Sequence, residues 1–305
     1  KIKTIICNST DYASPTALAC RIALVNKKKV IIADEDFNIL KNIKELDDSH
    51  YKKNDKHLKL IFKNSHKINY ENYFMKRFFG SVQTAYTHHL DLKLANRNKI
   101  KINKGQFLKK YLPNRNFKRI ALFAPHAFTD SVHGFGKEFI FTDTYQQYLE
   151  TMKFISSYKN KETLWIIKKH PRSKHYKEEG QIEEVYKKYK KSNIILLDKK
   201  ISTISAINIS DLVITGRGSI GLEAASLGKR VVVAGYAVYQ NMGFTVQPKN
   251  TKKYFEEIIK ASNYKSLNNN QKKIARKYLY FLDHYKSFDL PVNKIWKDQD
   301  KLKLN

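Results

Sequence analysis

The run 210–235, SDLVITGRGSIGLEAASLGKRVVVAG, constrains the fold more tightly than any other stretch of the chain. Leu212, Val213, Ile214 and Thr215 read as a short buried strand. Gly216, Arg217, Gly218 and Ser219 read as a tight turn, and 220–227 as a helix that Gly228 ends. Residues 230–234 form a second apolar strand. Two strands joined through a helix run parallel, because the helix supplies the crossover that parallel pairing requires. The turn carries chemistry of its own. A helix N-terminus presents unpaired backbone N–H groups and a partial positive charge. Glycines let a phosphate approach that backbone, and Ser219 can cap the helix or offer its hydroxyl. Glu223, one turn on, stands where a carboxylate accepts hydrogen bonds from ribose hydroxyls. An ordinary βα turn with glycine for geometry is the competing reading, since the run is neither a P-loop nor a GxGxxG fingerprint. The stretch 164–171, LWIIKKHP, favours the phosphate reading. It is a buried strand running into His170 and Pro171, and open α/β sheets bind ligands beyond the carboxyl ends of their strands.

The remaining chain extends this pattern. Strands are expected at 2–7, 29–33, 58–62, 119–124 and 194–197, and helices at 15–24, 38–46, 70–94, 144–157, 178–191, 201–209, 251–261 and 271–285. Alternation of the two gives an α/β fold with parallel sheets. The basic stretch 99–117, broken by Pro113 and Asn114, reads as a linker. It divides an N-terminal Rossmann-like domain, 1–115, from a C-terminal nucleotide-binding domain, 116–290, with a polar tail at 291–305. The chain opens on Lys1 rather than Met with a strand already in place, which points to a segment upstream. No apolar run reaches the 18 residues of a membrane span, and no secretory signal is recognisable. Cys7 and Cys20, in no metal spacing, suit a reducing cytoplasm.

The net charge is +30 over 305 residues. Such an excess fits an anionic membrane surface or acidic substrates. Nucleic acid is not expected, because lysine outnumbers arginine 49 to 9 and the charge is spread along the whole chain. Nucleic-acid binders concentrate charge and favour the arginine fork. Asp34, Glu35 and Asp36 at a strand end suit a solvated loop or an acceptor sugar. The adjacent His88 and His89 point apart on a helix and so cannot form an i, i+4 metal pair.

A third polar loop follows the strand 119–124 and carries His126, Asp130 and His133. Asp130 with a neighbouring histidine suits acid–base or nucleophilic chemistry, and an Asp that caps a turn beside two surface histidines is the alternative. A nucleotide-sugar donor accounts for the three strand ends together. Its phosphate lies on the turn Gly216, Arg217, Gly218, Ser219, His170 bonds phosphate or ribose, and Lys168, Lys169 or Arg217 pairs with a donor carboxylate. No DxD motif stands where a metal would be needed, so neither a metal nor another cofactor is expected.

These residues reach a known family. IIKKHP, then SDLVITGRGSIGLEAASLGKRVVVAG and the trailing Gly243, Phe244 and Thr245, resemble bacterial capsule and lipopolysaccharide glycosyltransferases of the GT-B fold. APHAFTDSVHG followed by IFTDTYQQYLETMKFI looks most like the retaining β-Kdo transferase modules, which use CMP-Kdo and share a His-Pro nucleotide motif with bacterial sialyltransferases. The likeness covers 118–250. It implies two Rossmann-like domains facing a cleft, with Asp130 as nucleophile, His133 as acid–base partner, His170 and Pro171 on CMP, and Ser219 on phosphate. It implies a glycan or lipid-linked glycan acceptor, and work in the cytoplasm at the inner membrane face. A CDP-glycerol or CDP-ribitol phosphotransferase, a sugar-nucleotide epimerase or hydrolase, and a non-catalytic basic binding protein are the alternatives.

Overall fold

The computed structural model describes residues 2–7, 14–34, 39–46, 69–79, 99–129, 139–171, 173–174, 176–261 and 266–284. Asp130, His133, His88, His89, Glu35, Asp36, the strand expected at 58–62 and the tail 291–305 lie outside them.

The larger sheet contains β4 (Arg119–Ala124), β5 (Thr163–Ile167), β6 (Ile194–Leu196), β7 (Leu212–Thr215) and β8 (Arg230–Val233). Its order is β6-β5-β4-β7-β8, and every pair is parallel. Such a sheet is covered on both faces, so its strands are apolar throughout. Because side chains alternate, each strand divides between two cores. Ile120, Leu122, Leu164, Ile166, Val213, Val231 and Val233 face one core. Ala121, Phe123, Trp165, Ile167, Leu212, Ile214 and Val232 face the other.

Helices seal each face. On the second face lie α4 (Thr144–Ser157), α5 (Gln181–Tyr189) and α8 (Thr251–Ala261), anchored by Tyr148, Met152, Val185, Tyr254 and Ile258. Asp143 caps α4, its carboxylate accepting from the Gln146 N–H at 2.7 Å. On the first face lie α6 (Thr203–Ile209), α7 (Ile220–Ser226) and α9 (Asn269–His284), with Ile207, Leu222 and Tyr278 buried. The order places the reversal of winding between β4 and β7, the position where doubly wound sheets open a ligand crevice.

The smaller sheet contains β1 (Thr4–Cys7), β2 (Lys29–Asp34) and β3 (Ile39–Ile43), with α1 (Ser14–Val25) between the first two. β1 and β2 are parallel. β3, expected as part of a helix, is a strand antiparallel to β2 that sets Ile43 opposite Val30. Both residues are buried, and pairing with an existing apolar strand outweighs the weak local helix preference. The first sheet is therefore mixed rather than wholly parallel.

The packing does not divide at residue 115. Helix α2 (Tyr70–Phe79) and helix α3 (Lys104–Tyr111) deliver Phe74, Phe78 and Phe107 into the core of the larger sheet. The expected linker thus carries a helix, opened by a capping box in which Asn103 and Gln106 exchange hydrogen bonds. The guanidinium of Arg276 on α9 lies over the Phe74 ring at 3.9 Å and pairs with Glu71 at 2.7 Å.

Phe78 is 1 % exposed. Phe78→Ala should cost about 3–5 kcal/mol of stability as buried phenylalanines do, read from the midpoint of denaturant unfolding. A cost below about 1 kcal/mol would detach α2 from this core.

Candidate functional site

Three loops meet at the carboxyl ends of neighbouring strands. β4 leads to His126, β5 to His170, and β7 to Gly216. The His126 and His170 rings lie 6.0 Å apart, and the Tyr176 ring lies 5.9 Å from His170, tilted at 60° to it. His126 rests against the glycine turn. A Cβ on Gly216 would meet the His126 Cβ at 3.3 Å and the Gln147 Oε1 at 3.1 Å, and one on Gly218 would lie 3.7 Å from the His126 Nδ1. Glycine at 216 therefore answers to close packing, not to backbone sign. Gln147 is fully buried, its amide nitrogen donating to the Tyr254 hydroxyl at 3.2 Å. Its Oε1, beside Gly216, has no hydrogen-bond partner among the described residues.

Tyr239 fixes the turn from beneath. Its ring is fully buried, and its hydroxyl donates to the Gly218 carbonyl at 2.6 Å. It passes so near α7 that a Cβ on Gly221 would fall 2.2 Å from that hydroxyl. Nothing larger than glycine fits there. Ser219 has helical backbone angles and makes no side-chain cap bond. Ser219 thus supplies no side-chain cap to α7, the Gly221 N–H donates to the Gly218 carbonyl at 3.1 Å, and a helix start attracts anions.

The loop from His126 to Thr129 is held by buried groups. Ala127 and Phe128 are buried, and the Thr144 hydroxyl lies 3.3 Å from both of their carbonyls. Glu178, 2 % exposed, accepts from the Thr129 N–H at 2.9 Å. Burial pushes its carboxyl above the usual range, against hydrogen bonds from Thr129 and Phe128 and the nearby His126.

The structure brings His126, His170, Gly216, Gly218 and Ser219 together, with Pro171 exposed on the next residue and Arg217 half-buried within the turn. Three expected residues point elsewhere. Glu223 is buried on α7 against Arg77 of α2, with its Oε1 3.6 Å from the guanidinium. The two form a buried charge pair, and burial raises the carboxyl's pKa despite the guanidinium beside it. Glu223 therefore anchors helix to helix and is not placed for ribose. Lys169 is ion-paired with Glu183 of α5. The Lys168 ammonium donates to the Ile201 carbonyl at 3.0 Å and serves to tie β5 to the start of α6, not to meet a donor carboxylate. Residues that sequence reasoning left out, Gln147 of α4, Tyr176 and Glu178 of the loop before α5, and Tyr239 after β8, carry no local motif. His126 had a signal, its place directly after a buried strand.

Among the described residues no group of three or more acidic, histidine or cysteine side chains is arranged to hold a metal. No described helix is long and apolar enough to cross a membrane.

Burial lowers the Lys168 pKa to about 8. Between that value and the ordinary lysine range the unfolded chain binds more protons than the folded one, so stability rises with pH there, by at most about 1.4 kcal/mol per unit. Lys168→Met should flatten the rise between about pH 8 and 10 when unfolding is followed across that window. An identical slope in both proteins would contradict the burial of the charge.

Solved structures that the chain resembles include Thermosulfurimonas dismutans KpsC, beta Kdo 2,4 transferase, at 15 % identity over 90 % of this chain and 78 % of that one, TM-score 0.43. KpsC of the same organism as beta Kdo 2,7 transferase matches at 15 % identity over 90 % and 75 %, TM-score 0.44. Methanocaldococcus jannaschii UDP-GlcNAc 2-epimerase matches at 15 % identity over 64 % and 51 %, TM-score 0.37. No curated protein matches the chain. Residues 36–275 match the family model of capsule polysaccharide biosynthesis proteins, and the chain belongs to that family.

Proposed function

We propose that the protein is a capsule glycosyltransferase that moves Kdo from CMP-Kdo onto a surface-polysaccharide acceptor with retention. The observation that carries the reading is the seating of His126 against the Gly216–Gly218 turn, with the His170 ring 6.0 Å from it, at the winding reversal of a parallel sheet. Two imidazoles and a helix start make a site for a nucleotide phosphate. Membership of the capsule family supplies the biological setting.

In this reading CMP lies on Gly216, Gly218 and Ser219, with His126 beside the turn and His170 and Pro171 beyond it. Arg217, in the same turn, stands nearest among the expected cations to receive the donor carboxylate. Asp130 follows Thr129 directly in the sequence. Its carboxylate attacks the anomeric carbon, the bond from that carbon to the phosphate oxygen breaks, and CMP departs with the electron pair. The acceptor hydroxyl then attacks the same carbon, loses its proton and releases the carboxylate. Two inversions give net retention. His133 is the proposed proton carrier, and no metal enters. The net charge of +30 suits work at the anionic inner face of the cytoplasmic membrane.

A panel of CMP, CDP, UDP, GDP and ADP tests the donor, because a ligand that binds only the folded state raises the melting temperature. CMP should stabilise alone. Stabilisation by CDP above CMP would redirect the reading to polyol phosphate transfer, and by UDP or GDP to another sugar donor. Asp130→Ala should abolish transfer from CMP-Kdo while CMP affinity stays within about threefold, a change of less than about 1 kcal/mol. Loss of both together would remove its role as nucleophile. His170→Ala should weaken CMP about tenfold or more, as loss of a charge-assisted hydrogen bond does, and unchanged affinity in calorimetry would refute that contact. Chelator should leave the rate untouched, and full inhibition would overturn metal independence.

A further inference from the structure

We infer that Glu178 is a positioning residue for the donor site: its buried carboxylate suspends the loop after β4 from the loop after β5, and so holds His126 against the glycine turn. The argument starts from a chain of hydrogen bonds. The Ser173 N–H donates to the His170 carbonyl at 3.1 Å, and the Glu178 N–H to the Ser173 carbonyl at 3.0 Å. The Glu178 Oε1 then accepts the Thr129 N–H at 2.9 Å, with the Thr129 hydroxyl 3.4 Å away. That hydroxyl also lies 3.4 Å from the Tyr176 carbonyl. One carboxylate thereby connects the histidine of β5's loop to the segment three residues beyond the histidine of β4's loop.

The placement is a demanding one. A carboxylate at 2 % exposure is retained only where hydrogen bonds offset its lost hydration. Here those bonds come from backbone N–H groups of the loop it holds, while its Oε2 has no hydrogen-bond partner among the described residues. The backbone around it is correspondingly constrained: Lys177 has φ 55° and Gly180 φ 89°. The residue lies just outside α5, whose N-cap is Gly180, and meets that helix through its backbone, its carbonyl accepting from the Gln181 N–H at 3.3 Å. Its side chain is turned instead toward a loop that is distant in sequence. On the opposite side the same loop hangs from Thr144, so Glu178 completes a two-sided clamp.

The consequence for binding rests on the donor-site reading given above; the consequence for the loop does not. Three proteins test it: wild type, Glu178→Ala and Glu178→Gln, each at least 20 degrees below its own melting temperature. Amide hydrogen exchange of the peptide covering 126–129 reads the clamp, and calorimetry with CMP reads the site. Glu178→Ala should exchange that peptide about tenfold faster or more, as loss of a bond to a charged acceptor allows, and weaken CMP by a similar factor. Glu178→Gln keeps an oxygen for the Thr129 N–H and should restore most of both. Should alanine prevent folding, glutamine against wild type decides: exchange and affinity within about threefold support an acceptor role. Exchange unchanged in alanine, or raised equally throughout the protein, overturns the inference. Faster local exchange with wild-type CMP affinity overturns its link to the site. Wild type that binds no CMP defeats the donor reading, and the exchange result still decides the clamp.

Discussion

The alternation of apolar side chains along β4, β5, β7 and β8 is the constraint on which the rest depends. Each strand must bury both faces, so each sends residues to two cores at once. The helical crossovers that make the strands parallel also supply the cover, each helix lying on one face or the other. Parallel strands put all carboxyl ends along one edge. Polar residues that follow those ends have no room in either core, and they collect at the point where the winding reverses. The site is a product of the sheet's burial, and its histidines are held by backbone geometry that the sheet sets.

Around that edge the protein uses buried polar groups as fasteners. Tyr239 bonds Gly218 from below, Gln147 packs beside Gly216, Thr144 and Glu178 hold the loop of His126, and Lys168 ties β5 to the start of α6. Tyr239, Thr144, Glu178 and Lys168 are each satisfied by a backbone group, and Gln147 by the Tyr254 hydroxyl. The Arg77–Glu223 pair does similar work farther away, joining α2 to α7 across the first core. These fasteners make the position of the turn a property of several elements together.

The larger sheet was readable because its signals are local and strong. The strands around residues 120, 165, 213 and 232 are short apolar runs bounded by turns, and the helix after Ser219 ends on a glycine with φ 84° at 228. The smaller sheet was less readable. Residues 39–43 lack a decisive pattern, and pairing with β2 settles them as a strand. The stretch 99–117 looks like a basic linker because its one deeply buried anchor, Phe107, carries no repeat that announces a core helix.

That three polar loops follow three buried strands is legible in the chain alone, since a strand's apolar run and the residues after it are read in one window. The sequence thereby names His170, Gly216, Gly218 and Ser219 as neighbours. Which charges turn toward that edge depends on packing between elements distant in the chain. Lys168, Lys169 and Glu223 sit beside the motifs in sequence, yet each is drawn to a partner on another element, because a charge leaving water must find one. For the same reason Glu178, which no motif marks, ends beneath the loop. The direction of a side chain follows from helix rotation and from partners distant in the chain, and a linear pattern contains neither.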